Sequence, residues 1–259
     1  MSGFKGPNGS IVTEGLVYYI DNPNKKSYVS GSTTINNLVG TDVSSLPNGI
    51  GLTPEYKGGW ALDGVDDYIL TDQIDSQQLT VDIWFEFTEP FSSSDYYCMF
   101  RMGRDPVPYS LNFGSPVLNP YIGYRLRPIS FFRNSTCPTS SAKTFSLNID
   151  TNFLYNLIIT FDWTTTTATC YLSDSLAGTD ATTKTGPISA TITDFSTCSI
   201  YQFNNTSQLY NPMDIGRLIT FGYYLPGNIY NFKMYNRVLN ESERNRNYNA
   251  LKSRFGLWA

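Results

Sequence analysis

From Leu79 to Thr88 the chain reads Leu-Thr-Val-Asp-Ile-Trp-Phe-Glu-Phe-Thr, a two-residue alternation that specifies an extended strand. Leu79, Val81, Ile83, Phe85 and Phe87 share one face, while Thr80, Asp82, Trp84 and Glu86 share the other. One half-buried strand needs partners, and the rest of the chain offers them. Leu16–Ile20 is a strand closed by the turn-forming Asp21-Asn22-Pro23-Asn24, and strand, acidic turn and strand follow one another from Gly59 to Leu70. Short strand candidates recur at 97–102, 108–113, 121–126, 129–133 and 143–149, then at 188–193, 198–203, 212–219 and 228–235. Residues 154–172 read as a hairpin turning at Asp162-Trp163-Thr164-Thr165. Many short strands separated by Pro, Ser and Gly loops predict an all-β, two-sheet antiparallel sandwich of the jelly-roll kind.

Composition agrees, since aromatics make up 15% of the 259 residues, with 19 Tyr and 16 Phe, residues that suit pleated surfaces. A chain of this size buries roughly 70–75% of its unfolded surface, so a core forms without metals or disulfides. There is no linker and no internal repeat. Residues 1–14 read as an N-terminal arm, a docking strand or clasp, and 15–259 as one domain.

One helix is expected, at the C-terminal end. Asn240 supplies an N-cap, Glu243 the reciprocal partner of a capping box, and Gly256 an αL cap. Tyr248, Leu251 and Phe255 form its apolar stripe, which is expected to pack on the edge of the sandwich.

Several function classes are excluded by what the chain lacks. It has no histidine, which removes Ser-His-Asp and Cys-His triads and imidazole acid–base chemistry. A net charge of −4, from 18 basic and 22 acidic residues, provides no clustered basic face, so no nucleic-acid partner is expected. Cys98, Cys137, Cys170 and Cys198 form no C-x-x-C pair. The start carries no signal peptide, so the thiols are expected to stay free in a reducing cytoplasm. No apolar run approaches the ~20 residues of a membrane span, and no membrane insertion is expected.

Three segments in order resemble the laminin-G-like branch of the concanavalin A-like lectin/glucanase superfamily. They are Leu16-Val17-Tyr18-Tyr19-Ile20-Asp21; Trp60-Ala61-Leu62-Asp63-Gly64-Val65-Asp66-Asp67-Tyr68-Ile69, followed by the strand at Leu79–Phe87; and the stretch from Gly227 to Leu239. Met213-Asp214-Ile215-Gly216-Arg217 is similar to the turn that precedes the family's last strand. The ending Tyr248-Asn249-Ala250-Leu251-Lys252-Ser253-Arg254-Phe255-Gly256 resembles modules of tailed-bacteriophage structural proteins. That resemblance implies a virion protein assembled in the host cytoplasm, decorating a capsid or forming part of a tail or fibre. Its expected partners are other virion proteins and further copies of itself, as a homo-oligomer. The alternative it implies is a carbohydrate-binding, lectin-like module for a host or polysaccharide glycan.

The residues offer three chemistries. Asp82 and Glu86 share a face but stand roughly 13 Å apart on a strand, against the ~5–5.5 Å of a retaining glycosidase, so no catalytic residue is expected. Asp63, Asp66 and Asp67 gather carboxylate oxygens of the kind calcium takes, although Asp-Gly and Asp-Asp are also ordinary turn chemistry. No cofactor is required, and calcium is an optional ligand. Tyr109, Tyr121, Tyr223 and Tyr224, with Tyr96, Tyr97 and Tyr210, lie in or near loops, where rings stack on sugars or bury at protein contacts.

Overall fold

A computed structural model of the chain describes residues 9–48, 58–72, 76, 78–89, 97–100, 153–162, 164–165, 167, 169–172, 213–217 and 222–255. It also describes strand backbone at 5–6, 51–52, 101–102, 109–114, 125–131, 143–144, 147–148, 168, 173–174, 188–193 and 218. Two large antiparallel sheets face each other, as the alternation predicts. The first, of eight strands, runs Ile188–Thr193, Thr167–Asp174, Leu154–Asp162, Gln78–Phe87, Pro226–Tyr235, Trp60–Asp63, Gly51–Leu52, with Leu16–Asp21 also paired to Pro226–Tyr235. The second, of nine, runs Lys143–Thr144, Arg125–Phe131, Tyr109–Gly114, Tyr97–Met102, Met213–Ile215, Ile69–Thr71, Val43–Ser45, Thr34–Asn36, with Leu147–Asn148 beside Arg125–Phe131. The segments expected as separate strands at 121–126 and 129–133 form a single strand, Arg125–Phe131.

Gln78–Phe87 is central because both of its neighbours pair with it almost end to end. Leu154–Asp162 lies on one side, with Leu157 opposite Ile83; Pro226–Tyr235 lies on the other, with Phe232 opposite Ile83. The odd-numbered residues Leu79 to Phe87 then enter the core between the sheets with Ile20, Trp60, Met99, Phe100, Leu157, Ile159, Ile215 and Phe232. Tyr18 is in this core too. Its hydroxyl meets the Ser44 hydroxyl at 2.6 Å, and burial pushes its pKa up to about 12. Cys98 and Cys170 are buried, and burial raises the pKa of the Cys170 thiol; Cys137 and Cys198 lie outside the described residues.

The helix Glu241–Lys252 has the predicted start: Asn240 Oδ1 accepts from the Glu243 amide at 3.0 Å, and Glu243 Oε2 accepts from the Asn240 amide at 2.9 Å. Its position differs from expectation. Leu251 and Phe255 pack with Trp84, Leu154 and Tyr230, so the helix lies on the outer face of the eight-stranded sheet and not on an edge. Ile11 and Val12, within the segment expected to be an arm, are tucked beside it with Leu16, Tyr19, Tyr235, Leu239 and Ala250. The Val12 amide donates to Asn247 Oδ1 at 2.9 Å and Tyr235 Oη donates to the Val12 carbonyl at 3.2 Å. Among the described residues no helix is long and apolar enough to cross a membrane.

Candidate functional site

Two polar regions require an account: the outer face around Asp82 and Trp84, and the acidic turn at 63–67. The first is closed. Trp84, fully buried, stacks on Tyr248 (ring centroids 5.4 Å apart) and on Phe255 (4.7 Å), both supplied by the C-terminal helix and its end. Asp82 is also fully buried, paired with Lys233 at 3.0 Å and accepting from Asn156 Nδ2 at 2.8 Å and Asn247 Nδ2 at 3.0 Å. Glu86 accepts from Tyr230 Oη at 2.5 Å; burial and this bond together raise the tyrosine pKa. Asp82 and Glu86 are thus each engaged by protein groups, and the helix covers the tryptophan between them.

The second region is open. The turn from Asp63 to Tyr68 carries the chain out of the eight-stranded sheet, at Trp60–Asp63, and into the nine-stranded one, at Ile69–Thr71. It therefore lies at one end of the sandwich. Gly64 takes the positive φ (76°) that starts the reversal. Asp63 Oδ1 accepts from the amides of Val65 (2.8 Å), Asp66 (3.1 Å) and Asp67 (3.4 Å), while Asp67 Oδ2 accepts from the Asp63 amide (3.1 Å). Burial is the largest single influence on the Asp63 carboxyl and raises its pKa, but the backbone donors together outweigh it and hold it below the usual value. Asp67, only 8% exposed, is pushed up by burial and by the charges of Asp63 and Asp66 despite its own backbone bond.

Beside this turn sits the Gly216 hairpin. Met213–Ile215 pairs with Ile69–Thr71, and Gly216 follows at φ 87°, against Leu62 and the Asp67 carbonyl. Arg217 and Leu218 pair with Tyr224 and Tyr223, and Pro226, two residues on, pairs with Asp63. The fold therefore gathers two sequence-predicted sets, Asp63/Asp66/Asp67 and Tyr223/Tyr224, at one end. Both tyrosines are half-buried there, and the side chain of Val65 at the turn's tip is 69% exposed. Tyr109 contributes strand backbone at Tyr109–Gly114, its side chain lying outside the described residues, as do Tyr96, Tyr121 and Tyr210.

Sequence reasoning missed the group that ties this end together. Arg217 lies flat over the half-buried Tyr68 ring, 3.3 Å from its centroid, and its Nη2 meets the buried Asp214 carboxylate at 2.6 Å. Tyr68 and Arg217 both fall in motifs quoted for the fold, yet nothing in either motif indicates that one covers the other.

Carboxylate oxygens of Asp63, Asp66 and Asp67 lie within 4.8 Å of one another, a donor type that suits calcium. Asp63 Oδ1 and Asp67 Oδ2 also accept backbone amides, which shapes the turn and leaves each carboxylate its second oxygen. Three carboxylates supply only part of the roughly six to eight oxygens calcium takes.

No protein-family model matches this chain, and no curated protein matches it. Solved structures do. A Trypanosoma rangeli sialidase in complex with sialic acid aligns over 95% of this chain and 34% of its own, at 15% identity and TM-score 0.57. The binding domain of botulinum neurotoxin DC aligns in a complex with rat synaptotagmin II (TM-score 0.58, 11% identity, 94% of this chain and 52% of that one). It aligns again in a complex with SialylT (TM-score 0.60, 11% identity, 92% and 52%). The chain thus spans from a third to about half the length of these proteins. At such identities the likeness concerns the fold alone, a two-sheet antiparallel β-sandwich.

Proposed function

We propose that this chain is a non-enzymatic recognition module that binds a surface glycan at the end of the sandwich formed by the 63–68 turn and the 216–226 hairpin. The observation that carries this reading is the convergence there of half-buried Tyr223 and Tyr224 with the carboxylates of Asp63 and Asp66. Phenol rings offer stacking faces to the C–H surface of a sugar, and carboxylates accept its hydroxyl protons. Two of the aligned structures hold sialic acid or SialylT, which supports a glycan as the ligand class.

A glycan array tests it. Binding is expected for the native chain and is expected to weaken about tenfold or more in Tyr224→Ala, the loss of roughly 1.4 kcal/mol or more that a central aromatic contact carries. Chelation with EDTA is expected to leave binding unchanged, because the three carboxylates supply only part of the oxygens calcium takes. Loss of binding on chelation would instead assign Asp63, Asp66 and Asp67 to calcium. A chain with an intact fold that binds no glycan on a broad array sinks the reading.

A second reading, a tailed-phage virion component acting through capsid, tail or self contacts, draws on the resemblance of the chain's ending. It is favoured by one surface feature. Thr34–Asn36 ends the nine-stranded path, and Val29, Val39 and Val43 beside it are 62%, 39% and 52% exposed. The outward amides of that strand are taken, Asn36 N by the Ser27 carbonyl at 2.7 Å and Thr34 N by Ser32 Oγ at 3.1 Å, so it is the exposed valines that offer an apolar contact to another chain. Light scattering at working concentration is expected to give a stable oligomer under this reading; a monomer at every concentration removes self-assembly from it.

A further inference from the structure

Lys233 is fully buried on the outer face of the eight-stranded sheet, beneath the C-terminal helix. Its Nζ lies 2.9 Å from Asn231 Oδ1 and 3.0 Å from Asp82 Oδ2, and all three residues are at 0% exposure. The ammonium has donors only, so the Asn231 atom facing it must be the carbonyl oxygen. The amide nitrogen of Asn231 therefore points elsewhere, and it is buried with no hydrogen-bond partner. A buried donor without a partner opposes folding, because it has given up its hydrogen bond to water. A fully desolvated ion pair beside it is also a weak source of stability.

From this geometry we propose that the Lys233 and Asn231 side chains join in an intramolecular amide bond, with Asp82 carrying the proton. Asp82 takes one proton from the Lys233 ammonium, the freed Nζ lone pair adds to Cγ of Asn231, and the second Nζ proton passes to Nδ2 within the tetrahedral adduct. The Cγ–Nδ2 bond then breaks and ammonia leaves, with the first proton left on Asp82. One C–N bond forms, one breaks, and no oxidant, reductant or cofactor takes part.

Three features of the surroundings favour that exchange. Burial lowers the Lys233 pKa, an effect the Asp82 charge only partly opposes, and a neutral amine is the nucleophile. Amine and carbonyl are held in contact by the strand they share, which replaces an encounter with a fixed geometry. Asn156 Nδ2 and Asn247 Nδ2 fix the Asp82 carboxylate against the amine, placing a proton acceptor 3.0 Å from Nζ. The product removes the buried ammonium and the unpaired Nδ2 together, and the helix keeps water from hydrolysing it. Trp84, whose Nε1 is likewise without a partner, stands between Asn156 and Asn231 in the register and shields the row.

The test is the intact mass of the native chain, measured after denaturation, followed by tryptic mapping. The expected result is a chain lighter by one ammonia, in which trypsin fails to cut after Lys233 and the peptide 218–237 carries the loss. Lys233→Met, which keeps the bulk without the nucleophile, and Asp82→Asn are both expected to show the full mass. The proposal is overturned if native chains keep the full mass and are cut after Lys233. It is equally overturned if the chain is lighter by water with Lys233 joined to Asp82. The wild-type measurement decides even where a variant does not fold.

Discussion

Replacing Trp84 with alanine is expected to destabilise the chain by about 3–5 kcal/mol, the range for a large buried aromatic cut back to a methyl group. The site cannot collapse to fill the gap. Trp84 is flanked in register by Asn156 and Asn231, which are tied into the Asp82–Lys233 network, while Tyr248 and Phe255 rest on it from the helix side. Moving the helix inward would also strain Asn247, which bridges Asp82 and Tyr235, and Arg254, which pairs with Asp21 at 2.5 Å and donates to the Gly58 carbonyl at 2.9 Å. The cavity therefore remains open. At roughly 2–4 °C per kcal/mol for a chain of this class, the thermal midpoint is expected to fall by about 6–20 °C. Trp84→Phe, which keeps a stacking ring, is expected to lose less than half of that. Circular dichroism melts of the three proteins check it, and an alanine variant within about 1 kcal/mol of the native chain would show that the helix does not depend on this ring.

The same residue marks the limit of what the sequence discloses. Alternation in 79–88 correctly puts Trp84 on the face away from the core, because side-chain direction in a strand is a local property. Whether that face is wet or covered is not local. It depends on where a helix some 160 residues later comes to rest, and neither the capping box at Asn240 and Glu243 nor the Tyr248/Leu251/Phe255 stripe encodes a destination. Lys233 shows the same gap: a lysine on the outward side of a strand reads as solvated until the register brings Asp82 opposite it. The short strands Thr34–Asn36 and Val43–Ser45 escaped detection for another reason. Three residues rich in Ser, Thr and Asn carry too little alternation to be distinguished from a loop, and their pairing is fixed by neighbours from elsewhere in the chain. At the candidate site, the acidic turn and the Tyr223–Tyr224 pair were each legible as loop chemistry. Their adjacency was not, because it arises from Pro226 pairing with Asp63 across the sheet.

Gly216 holds that adjacency in place, and Gly216→Ala is expected to disturb both stability and glycan binding. Its φ of 87° is one that an L-residue adopts only at a cost of about 1–2 kcal/mol. A Cβ there would also fall within 2.3 Å of Leu62 Cδ2. Leu62 is 3% exposed and packed in the main core, so its side chain has little room to swing away, and overpacking of this kind costs about 1–3 kcal/mol. The summed loss is roughly 2–5 kcal/mol. Gly222 supplies the internal control. It lies on the same hairpin at φ 65° with nothing within 4 Å of its would-be Cβ, so Gly222→Ala carries the backbone strain alone. The difference between the two variants isolates the contact with Leu62. Relief can come only by lifting the hairpin off the acidic turn, since the Gly216 amide is held by the Met99 carbonyl at 2.8 Å and its carbonyl by the Leu225 amide at 2.9 Å. Arg217 and Tyr224 would move with it, away from Asp63 and Asp66. Gly216→Ala should therefore lose affinity on the glycan array where Gly222→Ala does not, and Leu62→Val should restore part of both losses. Equal melting points and equal glycan binding in the two glycine variants would mean that the hairpin is not seated on Leu62, and that the acidic turn and the tyrosines act apart.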